Sequence, residues 1–166
     1  MESKVLFYER QRFRQWWVWT LLLIFIIINS IYLVTTFTDG FLPKNNAGLA
    51  IATTVILLVI LLIFFSHLDT KIKSDGIHIR FYPFHLKWRN YPWNKLKRVY
   101  VRRYAPLTEY GGWGVRLGMS MRRGRAFNVS GNKGIQLIFK NDKKLLIGTQ
   151  KPEKVKEILS QYFTNK

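Results

Sequence analysis

The side chains best suited to contact a ligand lie in one glycine-rich segment. Guanidinium and ring-bearing side chains recur there over a short distance, separated by glycines. Glycine lets the backbone approach a ligand, tyrosine and tryptophan offer stacking surfaces, and arginine gives bidentate contacts to phosphate. The predicted contact residues for an anionic or aromatic partner are Tyr110, Gly111, Gly112, Trp113, Arg116, Arg122, Arg123 and Arg125. The same glycines also suit a bulged strand, so a purely structural role stays open.

Catalysis and metal binding have little to build on in this sequence. Cysteine is absent, which removes disulfides, thiolate nucleophiles and sulfur ligands. Histidine occurs only as His67, His78 and His85, whereas a zinc site needs three or four ligands. The sequence carries no nucleophile–base set, P-loop or dinucleotide fingerprint. We therefore expect a non-enzyme with no catalytic residues, no metal and no cofactor.

The charge of the chain is strongly positive. Lysine and arginine number 27 against nine aspartates and glutamates, which gives a formal net charge of +18. Most of this excess lies after residue 68. Because solubility alone needs far less charge, the composition predicts an anionic partner.

Two long stretches of the N-terminal half contain no charged residue. Each is near the roughly 20 residues that a membrane crossing needs, and basic residues flank their outer ends. The pattern predicts a transmembrane hairpin over 15–68, with helices at about 15–38 and 46–67 and an external loop at 39–46. Residues 1–14 then form a basic cytoplasmic segment. This predicts an integral membrane protein with both termini cytoplasmic.

The remaining residues, 69–166, alternate between apolar and polar side chains. Ile77, Ile79 and Phe81 alternate with polar neighbours, and similar runs follow at intervals set by turn-forming residues. About seven antiparallel strands are predicted. The period changes after Gly148, and Pro152 suits the first turn of an amphipathic helix at 152–163.

This layout resembles the bacterial pleckstrin-homology-like (PH-like) membrane proteins. The resemblance rests on a two-helix hairpin followed by about seven strands and a final helix, and on the step Tyr91-Pro92-Trp93, which opens the strand containing Leu96, Val99 and Val101. It implies a mainly β, partly open PH-like barrel closed by the C-terminal α-helix, and a binding or scaffolding role. No family ligand residues carry over to this chain.

The expected function is that of a membrane-anchored, non-catalytic interaction module. Its expected partners are anionic lipid headgroups of the inner leaflet or a partner protein, including a second copy of the chain. Basic and aromatic residues interleave over Lys95–Tyr104, so a membrane-tethered nucleic-acid-binding protein is the alternative. An enzyme or a transporter accessory subunit is a third possibility.

Overall fold

A computed structural model describes residues 3–13, 16–38, 47–118 and 124–163 of the chain. The chain divides into two compact units. One is Arg14–Phe65, and the other combines Met1–Phe13 with Ser66–Lys166. The second unit, here called the β unit, is therefore discontinuous in sequence.

Four antiparallel strands form the first sheet of the β unit, sheet A. They are β1 (Val5–Arg12), β2 (His67–Lys73), β3 (Gly76–Tyr82) and β4 (Arg89–Pro92), in the spatial order β1-β2-β3-β4. Side chains alternate between the two faces of a strand, and the apolar set of β2 and β3 is fully buried. Sheet A thus has one core face and one outer face.

Sheet B contains five strands in the order β5-β8-β9-β7-β6. They are β5 (Leu96–Arg103), β6 (Gly114–Leu117), β7 (Arg125–Asn128), β8 (Lys133–Phe139) and β9 (Lys144–Gly148). A short 3-10 turn at Trp93–Lys95 joins β4 to β5, and helix α3 (Pro106–Tyr110) precedes β6. All pairs are antiparallel except β7 and β9, which run parallel.

The two sheets share one hydrophobic core. Phe81 of β3 lies 6.5 Å from Phe127 of β7 between ring centroids, and Tyr91 of β4 lies 5.7 Å from Phe139 of β8. Helix α4 (Pro152–Phe163) packs against β5, β8 and β1 through the buried Val155 and Leu159. Its range is the one that the sequence period predicts.

The packing of α4 gives the first testable prediction. Leu159 is 5% exposed within the core, so Leu159→Ala should lower the free energy of unfolding by about 2–5 kcal/mol. Urea denaturation measures this change. Lys154 is exposed on the same helix, and Lys154→Ala should stay within about 0.5 kcal/mol of the parent. Equal effects from both variants would show that α4 is not part of the core.

The other unit contains two helices, α1 (Trp16–Thr38) and α2 (Ala47–Phe65). The Asn29 amide of α1 donates to the Phe25 carbonyl of the same helix at 2.9 Å. Large apolar side chains of both helices are exposed, among them Leu23, Ile28 and Leu58.

The predicted transmembrane hairpin is contradicted. Among the described residues, no helix has both the length and the apolar character that a membrane crossing requires. The prediction rested on the length of two charge-free stretches and on their basic flanks. Helix α2 has 19 residues, about 28 Å at 1.5 Å each, against roughly 30 Å of hydrocarbon. The predicted integral membrane localisation with cytoplasmic termini falls with it. The loop predicted at 39–46 lies outside the described residues.

The predicted fold class needs correction in the sheets as well. The described residues form nine strands in two sheets and four helices, in place of about seven antiparallel strands in a PH-like barrel. One reason is that residues 5–12, expected in a separate basic segment, form β1 and pair with β2. The observed class is mainly β, with two sheets and four helices.

Candidate functional site

The structure gives Tyr110 a structural position. This side chain ends α3, is only 2% exposed, and packs edge-on against Tyr104 with ring centroids 6.1 Å apart. Its hydroxyl accepts a hydrogen bond from Arg102 Nη2 at 3.3 Å. Gly111 follows in the left-handed conformation, with a φ of 70°, and its N–H donates to the Leu107 carbonyl. Tyr110 and Gly111 thus terminate a helix over a buried aromatic pair.

Trp113 and Arg116 lie at the start of the β6–β7 hairpin, next to Gly112. The Trp113 indole N–H donates to the Gly131 carbonyl at 3.1 Å, and Arg116 Nε donates to the Trp113 carbonyl at 2.9 Å. Arg116 is exposed. These bonds fix the shape of the hairpin entry and leave most of the guanidinium in solvent.

The remaining predicted arginines are separated from this entry. Arg125 pairs with Leu117 at the far end of the hairpin, whereas Gly114 pairs with Asn128 at the near end. Three strand residues span about 10 Å. Arg122 and Arg123 lie outside the described residues. Tyr110 is thus buried, Arg116 and Arg125 lie on the β6–β7 hairpin, and contact of the set with a partner stays a prediction.

Arg125 instead lines a large cleft at one end of sheet B, here called the basic cleft. Its volume is about 1210 Å³. Apolar or aromatic side chains line one part, namely Tyr91, Ile138, Phe139 and Leu145. Five basic side chains line the rest, namely Lys97, Arg98, Arg125, Lys143 and Lys144, with Asp142 as the one acid among the described lining residues.

The β8–β9 turn builds one wall of the basic cleft. Asp142 adopts a φ of 57°, and its N–H donates to the Phe139 carbonyl at 2.9 Å. The Asp142 carboxylate accepts a bond from Lys97 at 2.9 Å, although both side chains are mostly exposed. Gly124 faces this wall, where a Cβ atom would collide with the Lys144 carbonyl. Only glycine fits there without moving the backbone.

Two arginines, Arg89 and Arg125, lie near the half-buried His85 beside the cleft. Burial lowers the pKa of His85 below its usual 6.5, and the charges of Arg89 and Arg125 lower it further. The ring packs edge-on against Phe127 at 5.2 Å. Burial also raises the pKa of Tyr91, which both arginines oppose. Arg89 and Arg125 therefore extend the positive field of the cleft.

The burial of His85 and the two nearby arginines predict that its imidazole titrates at a lowered pKa. His85 should titrate below 6.5, and the double variant Arg89→Gln/Arg125→Gln should raise its pKa, because two charges that oppose protonation are removed. NMR titration of the imidazole measures both values. The neutral ring favours the folded state above pH 6.5, and this contribution is lost as the pH falls through the lower folded pKa. The control Lys154→Gln should leave the pKa of His85 unchanged. If the double variant also leaves it unchanged, Arg89 and Arg125 do not lower this pKa.

The outer face of sheet A holds a second set of polar residues, which the sequence reasoning missed. We call it the outer sheet face. Three cross-strand rows on β1, β2 and β3 define it, together with Trp88: Tyr8, Lys71 and His78; Arg10, Asp69 and Arg80; Arg12, His67 and Tyr82. Residues opposite one another on neighbouring strands lie about 5 Å apart. The rows thus bring cations and rings together.

Asp69 lies at the centre of the outer sheet face, with a side chain that is fully buried. Arg10 Nε and Nη2 donate to the carboxylate at 2.6 and 3.2 Å, and Arg80 Nη2 and Nε donate at 2.8 and 3.3 Å. The Tyr8 hydroxyl adds a bond at 3.1 Å. Burial alone would raise the pKa of Asp69, but the arginine hydrogen bonds outweigh it and hold that pKa below 3.8.

Rings and cations stack around this carboxylate. Lys71 Nζ lies 4.4 Å and the Arg80 guanidinium 4.9 Å from the Trp88 ring centroid. The rings of His67 and Tyr82 stack at 5.2 Å with an interplanar angle of 22°. Such contacts order long cationic side chains at a surface. The outer sheet face is therefore preorganised and carries a net positive charge.

Among the described residues, no three His, Cys, Asp or Glu side chains lie close enough together to hold a metal ion. Two surfaces formed by the described residues are candidates for ligand binding, the basic cleft and the outer sheet face. Their chemistry consists of fixed positive charge beside apolar or aromatic groups. Comparison with protein-family models, curated proteins and solved structures finds no match to this chain.

Proposed function

We propose that the chain is a non-catalytic binding module whose basic cleft takes an amphiphilic anion. The ligand class is a phosphate or carboxylate group joined to a hydrocarbon chain or ring. The observation that carries this proposal is the described lining of the cleft, in which five cations and one acid adjoin apolar side chains. A ligand with both parts would match both parts of the lining.

The charge of the cleft supports an anion. Lys97 has a carboxylate partner in Asp142, but no described ion pair includes Arg98, Arg125 or Lys144. Like charges that line one cleft repel one another, and a bound anion relieves this repulsion. Arginine and lysine both bind phosphate, arginine in a bidentate manner.

The apolar lining supports an attached hydrocarbon or ring. Phe139 and Tyr91 pack on each other, and Leu145 is 4% exposed at the edge of the core. Small-molecule sites are mostly apolar with a few polar groups that orient the ligand. The described lining contains no serine, cysteine or histidine, so it offers no nucleophile with a base. Binding is the chemistry that this lining supports.

Titration with a single-chain alkyl phosphate tests the proposal. Calorimetry below the critical micelle concentration should show binding, whereas the zwitterionic choline phosphodiester of the same chain length should bind far more weakly. Inorganic phosphate lacks the apolar part and should also bind more weakly. If all three probes bind alike, or none binds, the amphiphile proposal is wrong.

Substitutions in the cleft give a further testable prediction. Arg98→Gln should weaken alkyl phosphate binding by about ten-fold or more, since a hydrogen bond to a charged group contributes roughly 1.5–3 kcal/mol. Lys154→Gln removes a charge of the same sign on α4 and serves as the control. Equal loss in both variants would indicate general attraction to the positive chain. Binding of an acidic peptide in preference to alkyl phosphate would favour a protein partner.

A further inference from the structure

We infer that the outer sheet face is a separate binding site for single-stranded nucleic acid. The inference does not depend on the basic cleft or its ligand. It rests on the three cross-strand rows, which place the exposed rings of Tyr8 and Tyr82 on the same face as the guanidinium groups of Arg10, Arg12 and Arg80. Proteins that bind single strands without sequence preference combine such positive grooves with rings on which bases stack.

Cations on this face are positioned to contact phosphate. Asp69 binds Nε and Nη2 of both Arg10 and Arg80, so neither Nη1 takes part in the bonds to this carboxylate. The two side chains are 41% and 28% exposed. Arg12 lies exposed at the end of β1, and no bond within the described part of the chain holds its guanidinium. Asp69 thus orders two guanidinium groups while donors remain for a ligand.

Rings on the same face favour bases over a plain polyanion. Tyr8 is 45% exposed and Tyr82 is 37% exposed, so each ring presents surface to solvent beside a cation. Lys71 and Arg80 both lie over the ring of Trp88 on this face. Every base has a flat face, so exposed rings give binding that tolerates any sequence. Unpaired bases are needed, because in a duplex those faces are stacked inside.

Fluorescence anisotropy of a short labelled oligothymidylate with the full chain tests the inference. The oligonucleotide should bind more tightly than a duplex of equal length, and unlabelled single strands should displace it better than polyphosphate does. Tyr8→Leu should weaken binding about five-fold or more, while Tyr8→Phe should bind like the parent. Both variants lose the hydrogen bond to Asp69, so the pair isolates the ring from the hydroxyl.

Charge is tested separately through Arg12, which stands outside the Asp69 network. Arg12→Gln should lower the slope of log affinity against log salt by about 0.7, the value for one phosphate contact on a single strand. Lys154→Gln removes a charge elsewhere and should leave the affinity and slope as they are.

Several results would overturn the inference. Absence of oligonucleotide binding would do so, and so would equal displacement by polyphosphate with no effect of Tyr8→Leu, which would leave charge alone. If anionic vesicles displace the oligonucleotide and their binding depends equally on Tyr8 and Arg12, the face binds lipid headgroups instead.

Discussion

The double variant Arg10→Ala/Arg80→Ala should lower the free energy of unfolding by about 3–5 kcal/mol, towards the lower figure. It leaves the Asp69 carboxylate, which is fully buried in the parent, without its two cations. The lower end is expected because both arginines are partly exposed, so solvent already screens their charges. Urea denaturation at neutral pH measures the loss. The control Lys97→Ala breaks a surface pair with Asp142 and should change stability by less than about 0.5 kcal/mol.

Acidification should also reveal the contribution of the Arg10–Asp69–Arg80 network to stability. In the parent, the pKa of Asp69 lies below 3.8, so its contribution is complete above that pH and is lost as the pH falls through the lower folded pKa. In the double variant, burial acts without the arginines and raises this pKa. Protonation then relieves the buried charge, so the difference from the parent should shrink on acidification. A difference that stays constant from neutral to acidic pH would show that Asp69 is not the cause.

Phe127→Ala is the second substitution with a large expected effect. Phe127 is 1% exposed between the sheets and contacts both Phe81 and His85. Losing the ring should reduce the free energy of unfolding by about 3–5 kcal/mol, because the transfer energy is lost and a cavity remains. Chemical denaturation monitored by near-ultraviolet circular dichroism measures this loss of unfolding free energy.

A matched control is present in the same aromatic group. Phe84 also contacts Phe81, with centroids 5.8 Å apart, but it is 57% exposed. Phe84→Ala should therefore cost less than about 1 kcal/mol. If the two variants are equally stable, Phe127 does not hold the sheets together and the described core is wrong at this point.

Regular alternation made some elements predictable from the sequence. Ile77, Ile79 and Phe81 are all buried on the inner face of β3, as a period of two requires. The amphipathic period after Pro152 likewise marks α4, whose Val155 and Leu159 are buried. In both elements each apolar side chain points to one core, so the local pattern carries the information.

Strand β1 was not predicted from the sequence because its inner face is partly polar. Glu9 and Gln11 point towards the core together with Phe7, and all three are buried. Thr149 Oγ1 donates to Glu9 at 2.7 Å, and Gln11 Nε2 donates to the Gly148 carbonyl at 2.7 Å. Those partners lie far along the chain, so nothing local distinguishes this strand from a basic tail. The outer sheet face was missed with it, since Tyr8 and Arg10 belong to β1.

The predicted contact segment shows the opposite difficulty. Its glycines and rings have the composition of a binding loop, yet Tyr110 is buried beneath Tyr104. Pro106 at the first turn of α3 was the available signal for a short helix at this point. The basic cleft could not be read from the sequence, because β4, β5, β7, β8 and β9 must meet before its lining residues become neighbours.

The insertion of residues 13–66 between β1 and its partner β2 has a consequence during synthesis on the ribosome. Strand β1 is made first, and β2 is complete only after the intervening residues have been translated. At about 5–20 residues per second, the wait is roughly 3–12 s, far longer than the microseconds in which a hairpin forms. The nascent chain therefore carries β1 as an unpaired strand through this interval. The positive charges of Arg10 and Arg12, at alternate positions of β1, disfavour pairing with a neighbouring nascent chain until β2 is made.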